Sequence, residues 1–174
     1  ISEINLFEIQ QELEARKFFT YELLLGDCGD SFILKKIFQS KVDTVYHAAA
    51  YKHVGMSQLV PQTYFRYNLR GFLNIIEFSE QKNSQLILVS SDKAVHPINP
   101  MGMSKRLCEF IALAALNRGQ NVSIVRFGNV MNSSGSVVPL FKSQIENGGP
   151  IMLTHKDATR YFMSIAQAVE LVLL

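Results

Sequence analysis

The sequence predicts an open α/β fold built on a mostly parallel, doubly wound sheet. Two observations carry this. Short apolar runs that do not alternate with polar residues take turns with helix-like stretches, and each run ends in small or polar residues. Strands that are apolar on both faces belong to sheets covered on both sides, and the crossovers of a parallel sheet supply the covering helices.

The elements follow in order. Ile4–Lys17 places Ile4, Phe7, Ile9 and Leu13 near one face and Glu and Gln on the other, the spacing of a helix. Tyr21–Leu25 is an apolar run closing in Gly26-Asp27, which reads as a buried strand and its turn. Ser31–Gln39 is a helix capped by Asp30 or Ser31. A second strand covers Val42–Ala48, helical spacing runs over Gln62–Glu80, and Gln85–Ser90 forms a third strand. Pro97 and Pro100 punctuate a loop before a helix over Ser104–Leu116, and Val122–Phe127 is a fourth strand. Gly128–Val137, rich in Gly, Ser and Asn, reads as a loop. Pro139–Glu146 follows as a short helix with proline near its first turn, and Ser164–Leu174 is the last helix.

The four runs end at Gly26-Asp27, His47-Ala48-Ala49-Ala50, Ser90-Ser91-Asp92 and Gly128-Asn129. Ligands of open α/β sheets bind beyond the carboxyl ends of the strands, so these four ends predict one shared crevice.

Composition excludes several classes. At 174 residues the chain has the size of one domain, and a net charge of +2 without a basic run gives no footing for nucleic acid. No segment approaches the roughly 20 apolar residues of a bilayer span, and no secretory signal opens the chain. A soluble chain without membrane contact of its own is expected. Cys28 and Cys108 lie far apart without metal-ligand spacing, which predicts free thiols in a reducing cytoplasm and no metal. With no initiator methionine and an abrupt end at Leu174, the chain is expected to be a piece of a longer one.

The chemistry-bearing stretch is Ser90-Ser91-Asp92-Lys93-Ala94 followed by Met101-Gly102-Met103-Ser104-Lys105. A strand delivers Ser91, Asp92 and Lys93 to the sheet edge, and Lys105 lies one helical turn after Met101 on the same helix face. This spacing resembles the Ser/Thr…Tyr-x-x-x-Lys triad of the short-chain dehydrogenases, with Met101 where the tyrosine stands. A thioether cannot exchange a proton.

Four longer runs extend the resemblance: HAAAYKHV (47–54), SSDKAVHPINPMGMSKR (90–106), RFGNVMNSSGSVVPLF (126–141) and TRYF (159–162). Together they resemble CapD-type polysaccharide-biosynthesis proteins, the UDP-N-acetylglucosamine 4,6-dehydratases of the extended short-chain dehydrogenase/reductase superfamily. Methionine at the tyrosine position resembles the long, membrane-anchored, configuration-retaining group. The resemblance implies a Rossmann-like domain that binds NAD or NADP and, in the full-length parent, a homo-oligomer. It also implies that residues 1–174 form a partial domain, lacking the first βα unit and the C-terminal substrate lobe. No glycine-rich GxxGxxG phosphate loop is present.

Carried over residue by residue, the resemblance assigns cofactor contacts to Ser2, Glu3 and Asn5 at the end of a family strand. It assigns others to Asp27 and Cys28 flanking adenine, to Ala48, Ala49 and Ala50 at a strand end, and to Ser90, Lys52 and Lys105. Lys52, His53, Asn68, Asn129, Val137 and Arg160 match the pocket for UDP-N-acetylglucosamine. Near position 132 the family has a glycine and this chain has Asn132.

The reaction implied is oxidation at C4, loss of water across C5–C6 and hydride return to C6. Elimination needs a base for the C5 proton and an acid for the C6 hydroxyl. Asp92 as acid and Lys93 as base divide that work, with Ser91 on the C4 oxygen and Lys105 orienting the cofactor. The rivals are a UDP-sugar epimerase or 5-epimerising dehydratase, and a non-catalytic nucleotide-sugar-binding module suggested by the lost tyrosine. Met101 reads as packing near the nicotinamide. His53 reads as a backbone-bonded structural histidine as readily as a substrate contact. His47, His96 and His155 lack ligand spacing and read as structural. Asn121-Val122-Ser123 and Asn132-Ser133-Ser134 match glycosylation acceptors that a cytoplasmic protein does not use.

Because the pyrophosphate of a dinucleotide is cradled at a glycine loop and helix N-terminus, the isolated 174-residue chain is expected to bind NAD+ and NADP+ weakly. Calorimetric titration checks this, and tight binding of either would refute it.

Overall fold

Three parallel strands, β1 (Thr44–His47), β2 (Gln85–Ser91) and β3 (Val122–Phe127), lie side by side in sequence order. Thr44 stands opposite Gln85 and Leu86 opposite Val122. The computed structural model describes residues 2–131, 133, 136–153 and 155–174. Its helices are α1 (Glu3–Ala15), α2 (Ser31–Ile37), α3 (Val54–Leu59), α4 (Pro61–Tyr64), α5 (Arg70–Lys82), α6 (Pro100–Asn117), α7 (Val137–Glu146) and α8 (Ile165–Leu173). A second, two-stranded parallel sheet pairs β4 (Asn129–Val130) with β5 (Phe162–Met163).

The central strand β2 buries Leu86, Ile87, Leu88 and Ser90, as expected of a run without alternation. On it pack α5, through Phe72, Ile75 and Ile76 at helical spacing, and α6, through Cys108, Ala112 and Ala115. The small residues of α6 let its axis lie close to the sheet. Leu34 and Phe38 from α2 close the same core. Burying one such aliphatic or aromatic side chain stabilises by about 1.5–3 kcal/mol, so this cluster fixes how α6 sits over β2.

Several boundaries differ from the sequence expectation. Tyr21–Leu25 is not a strand. Among the described residues it finds no ladder partner, and apolar composition alone does not make a strand without one. The helix expected to start at Ser104 starts at Pro100, whose missing N–H suits the first helical position. Asn99 caps it by accepting from the Gly102 N–H at 2.9 Å. Glu3 and Asn5 lie in α1 rather than at a strand end, and Ser2 caps that helix through the Asn5 N–H. The expected apolar face of α1 is solvent-exposed, with no buried residue. Asn129–Val130, expected in a loop, pairs with β5, and α7 begins at Val137. Helical spacing over Gln62–Glu80 holds through α4 and α5, joined by a widened π turn at Phe65–Leu69. Ile1, Asn132, Ser134 and Gly135 lie outside the described residues.

The first turn of α6 rests directly on the turn after β2. A Cβ at Gly102 would collide with the Lys93 carbonyl oxygen, a backbone atom that cannot swing aside. Gly102→Ala is therefore expected to destabilise by about 1–3 kcal/mol through overpacking, despite alanine's better helix propensity. Urea denaturation checks it, and a stabilised variant would contradict the close packing.

Candidate active site

The turn Asp92–Ala94 leaves β2 as a single 3₁₀ turn capped by Ser91, whose hydroxyl accepts from the Lys93 N–H at 3.3 Å. The same hydroxyl donates to Asp92 Oδ1 at 3.0 Å. Lys93 Nζ donates to Asp92 Oδ1 and to Asn129 Oδ1, each at 2.9 Å. Burial works to raise the Asp92 pKa, but hydrogen bonds from Lys93 and Ser91 and the lysine's charge outweigh it. The carboxyl is held below its ordinary range. The pair at the strand end is an ion pair.

Opposite it stands α6. Met101 is buried at 3% exposure and faces a cavity of about 360 Å³. One turn on, Lys105 Nζ donates to the Val89 carbonyl at 2.8 Å. Burial lowers the Lys105 pKa, opposed by the thiols of Cys108 and Cys28 and the carboxylate of Glu109. His47, the last residue of β1, is pushed down to about 4 by burial and by Lys105, and it packs on Phe72 as a neutral ring.

The cavity lies at the carboxyl ends of the strands, between the two sheets. Ala48, Ala50, Lys52, His53, Ser90, Ser91, Lys93, Met101, Lys105, Asn129 and Val137 all line it. Three lysines and no carboxylate face it among the described residues, a field suited to an anionic ligand. Sequence reasoning missed its apolar wall of Val130, Met131, Val138 and Phe162. Nothing in the local pattern marked these residues, because the wall comes from folding β5 back against β4. Among the described residues no cluster of His, Cys, Asp or Glu could hold a metal.

Other expected contacts lie elsewhere. Asp92 is not among the lining residues but is bonded to two that are, Ser91 and Lys93. Asn68 is 2% exposed and does not line the cavity; its amide clamps Tyr51, accepting from the Tyr51 N–H at 2.7 Å and donating to the Tyr51 carbonyl at 3.1 Å and Ser104 Oγ at 3.0 Å. It holds in place the segment that carries Lys52. Arg160 is exposed and donates to the neighbouring Thr159 carbonyl at 2.6 Å. Asp27 accepts from the Gly29 N–H at 2.7 Å and lines a separate polar hollow with Arg66 and Arg70. Cys28 packs on the core, and Ala49, Ser2, Glu3 and Asn5 do not reach the cavity. His53 caps α3, and its carbonyl accepts from the Tyr64 hydroxyl at 2.7 Å while its side chain faces the cavity.

Beneath the site lies a feature the sequence did not announce. Glu109 is 1% exposed, and its carboxylate accepts from Ser90 Oγ at 2.6 Å, Arg126 Nε at 2.8 Å, Arg126 Nη2 at 2.7 Å and Arg106 Nη1 at 3.0 Å. Burial works to raise its pKa, but the hydrogen bonds from Arg126, Ser90 and Arg106 outweigh it and hold it at about 2. A helical glutamate four residues after Lys105 and an arginine in an apolar strand were the available signals.

A parallel sheet with Ser91, Asp92 and Lys93 at one strand end, faced by a helix-borne Lys105, defines a Rossmann-like domain of the short-chain dehydrogenase/reductase type. The chain belongs to the polysaccharide biosynthesis protein family, whose model matches residues 1–174. It is 45% identical over 145 residues to the capsular polysaccharide biosynthesis protein CapD of Staphylococcus aureus, covering 81% of this chain and 24% of that protein. To the UDP-glucose 4-epimerase of Rickettsia massiliae it is 39% identical over 183 residues, covering 99% of this chain and 53% of that one. Pen from Bacillus thuringiensis superposes with a TM-score of 0.88 at 32% identity, over 99% of this chain and 54% of that structure. The dTDP-glucose 4,6-dehydratase DesIV of Streptomyces venezuelae, solved with NAD bound, shares the fold with a TM-score of 0.77 at 22% identity, over 83% and 51%. The chain thus spans between a quarter and about half of these proteins. Among the described residues no helix is long and apolar enough to cross a membrane.

Linkage fixes a pH signature for Glu109. A folded pKa of about 2 against an ordinary 4.5 means its contribution is fully present above about pH 4.5 and is lost as pH falls through 2. The depression corresponds to roughly 3 kcal/mol before screening at the partly exposed arginines reduces it. Glu109→Gln is expected to lower stability at pH 7, with the gap to wild type narrowing below about pH 4. Denaturation midpoints across that range check it, and a pH-independent gap would count against it.

Proposed function

We propose that this chain is the catalytic-strand portion of a UDP-N-acetylglucosamine 4,6-dehydratase that uses NAD or NADP. One observation carries this. A carboxyl and an amine, Asp92 and Lys93, are paired at 2.9 Å beside Ser91, while a buried methionine stands where a proton-exchanging tyrosine would be. Oxidation and reduction at C4 need one group that takes and returns the hydroxyl proton, whereas loss of water from C5–C6 needs a base and an acid together.

The residues present fit the nicotinamide end of a dinucleotide. Ala48 and Ala50 leave room at the wall, and Lys105 is anchored by one donor on Val89, leaving two ammonium donors for ribose hydroxyls. When bound, the nicotinamide supplies reversible hydride acceptance from C4 and its return to C6. The chain's own groups do the rest. Ser91 holds the C4 oxygen and relays its hydroxyl proton to Asp92 as C4 is oxidised. Lys93 takes the C5 proton, Asp92 gives its proton to the departing C6 hydroxyl, and Lys93 returns the proton to C5 as C6 is reduced. The pair at rest is an ion pair, and Lys93 becomes the working base by releasing its cavity-facing proton to water, its other two hydrogens staying on Asp92 and Asn129. Met101 keeps the wall dry. The apolar wall of Val130, Met131, Val138 and Phe162 excludes water from the sugar, and Lys52 suits the diphosphate. Two free thiols, Cys28 and Cys108, suit a reducing cytoplasm.

A 4-epimerase is the second reading, supported by the likeness to the rickettsial protein of that name. Substrate deuterated at C4 separates them in the complete parent protein. The dehydratase delivers the label to C6 of the product, the epimerase returns it to C4, and washout to solvent contradicts both. Asp92→Asn in the same protein is expected to lower turnover by about 10²–10⁴-fold, the usual contribution of a general acid. Near-normal turnover would make the pair structural.

A further inference from the structure

Lys93 is bonded twice, by groups from two independent elements. Asp92 Oδ1 is its neighbour on the same turn, and Asn129 Oδ1 comes from β4 in the second sheet, each 2.9 Å from Nζ. An amine nitrogen has four tetrahedral directions. One is bonded to Cε, and two hydrogens are directed at these two oxygens. One direction remains, and Lys93 faces the cavity. In the neutral amine that direction carries the lone pair.

With Asp92 alone, the end of the flexible lysine stem could turn about its contact and swing the lone pair away. A second acceptor on a different element removes that freedom. We propose that Asn129 is a positioning residue for Lys93, its Oδ1 aiming the free valence of the amine into the cavity. Asn129 is itself placed by backbone. Its N–H donates to the Tyr161 carbonyl at 2.8 Å, and it pairs with Phe162 in the β4–β5 ladder. A Cβ on Gly128 would meet that same carbonyl at 2.8 Å, so glycine is what lets β5 come this close. Tyr161, 83% exposed, therefore serves the site through its main-chain carbonyl.

What the aimed lone pair does rests on the dehydratase reading. It forms the new N–H bond with the C5 proton, the C5–H electron pair becomes the C5–C6 π bond, and the C6–O bond breaks as Asp92 gives its proton to the leaving oxygen. Where the amine points does not rest on that reading.

The test uses the complete parent protein with Asn129→Leu, which keeps the size and removes the acceptor, and Asn129→Asp, which keeps an acceptor in place. With UDP-N-acetylglucosamine, Asn129→Leu is expected to lower kcat by roughly 10–100-fold, as a misaimed reacting group does, with KM changed less than threefold. The deuterium isotope effect from C5-labelled substrate should grow as proton abstraction becomes limiting, and Asn129→Asp should recover most of kcat. In crystal structures, Lys93 Nζ should hold its place in wild type and Asn129→Asp and leave it in Asn129→Leu. The proposal is overturned by an unmoved Nζ with unchanged kcat. It is also overturned by a KM rise of tenfold or more at constant kcat, which would make Asn129 a substrate contact only, or by a fall in kcat with the C5 isotope effect unchanged. If wild type does not dehydrate this sugar the dehydratase reading fails, and the crystallographic comparison still decides the positioning.

Discussion

Four hydrogen bonds converge on the buried carboxylate of Glu109, and the architecture of the site depends on them. They join β2 through Ser90, β3 through Arg126 and α6 through Arg106. A buried ion cluster of this kind adds little net stability over an apolar core, because desolvating the charges cancels much of their attraction. Its consequence is register. Apolar packing sets how closely α6 lies on the sheet, and three directed bonds from Ser90 and Arg126 to a carboxylate on that helix fix its register.

That register reaches the chemistry through two successive turns of α6. Glu109 is fixed on Ser90, Lys105 is fixed on the carbonyl of Val89, and Met101 then lands beside Ser91 at the cavity wall. Gly102 lets the first turn rest on the carbonyl of Lys93, so helix and catalytic turn meet without an intervening side chain. From the other side the β4–β5 sheet brings Asn129 to the same lysine. The cavity is thus held from two directions by rigid elements.

The charge distribution fits the same logic. Lys52, Lys93 and Lys105 face the cavity, and Asp92, the acid nearest to it, is bound to Lys93. An anionic ligand would be drawn in by this field and would meet an apolar wall beyond it.

The sequence by itself determined the fold class, the central strands over 85–91 and 122–127, and the cluster Ser91, Asp92, Lys93 and Lys105. Those depend on local apolar runs and on residues one strand end or one helical turn apart, and such short-range patterns survive in a linear reading. Only the tertiary structure decided the rest. Asn68 has the polarity of a ligand contact, yet its amide is consumed by Tyr51 and Ser104, a fact set by residues 17 and 36 positions away. Arg160 reads as a fork for a diphosphate, and the fold leaves its side chain exposed on the Thr159 carbonyl while the next residue gives its own carbonyl to Asn129. Tyr21–Leu25 has a strand's composition, but a strand exists only where another backbone offers it hydrogen bonds. The bonds of Ser90 and Arg126 to Glu109 and of Lys93 to Asn129 join residues 17 to 36 positions apart. No periodicity encodes such meetings, because they are consequences of where the sheet and its helices bring the chain back upon itself.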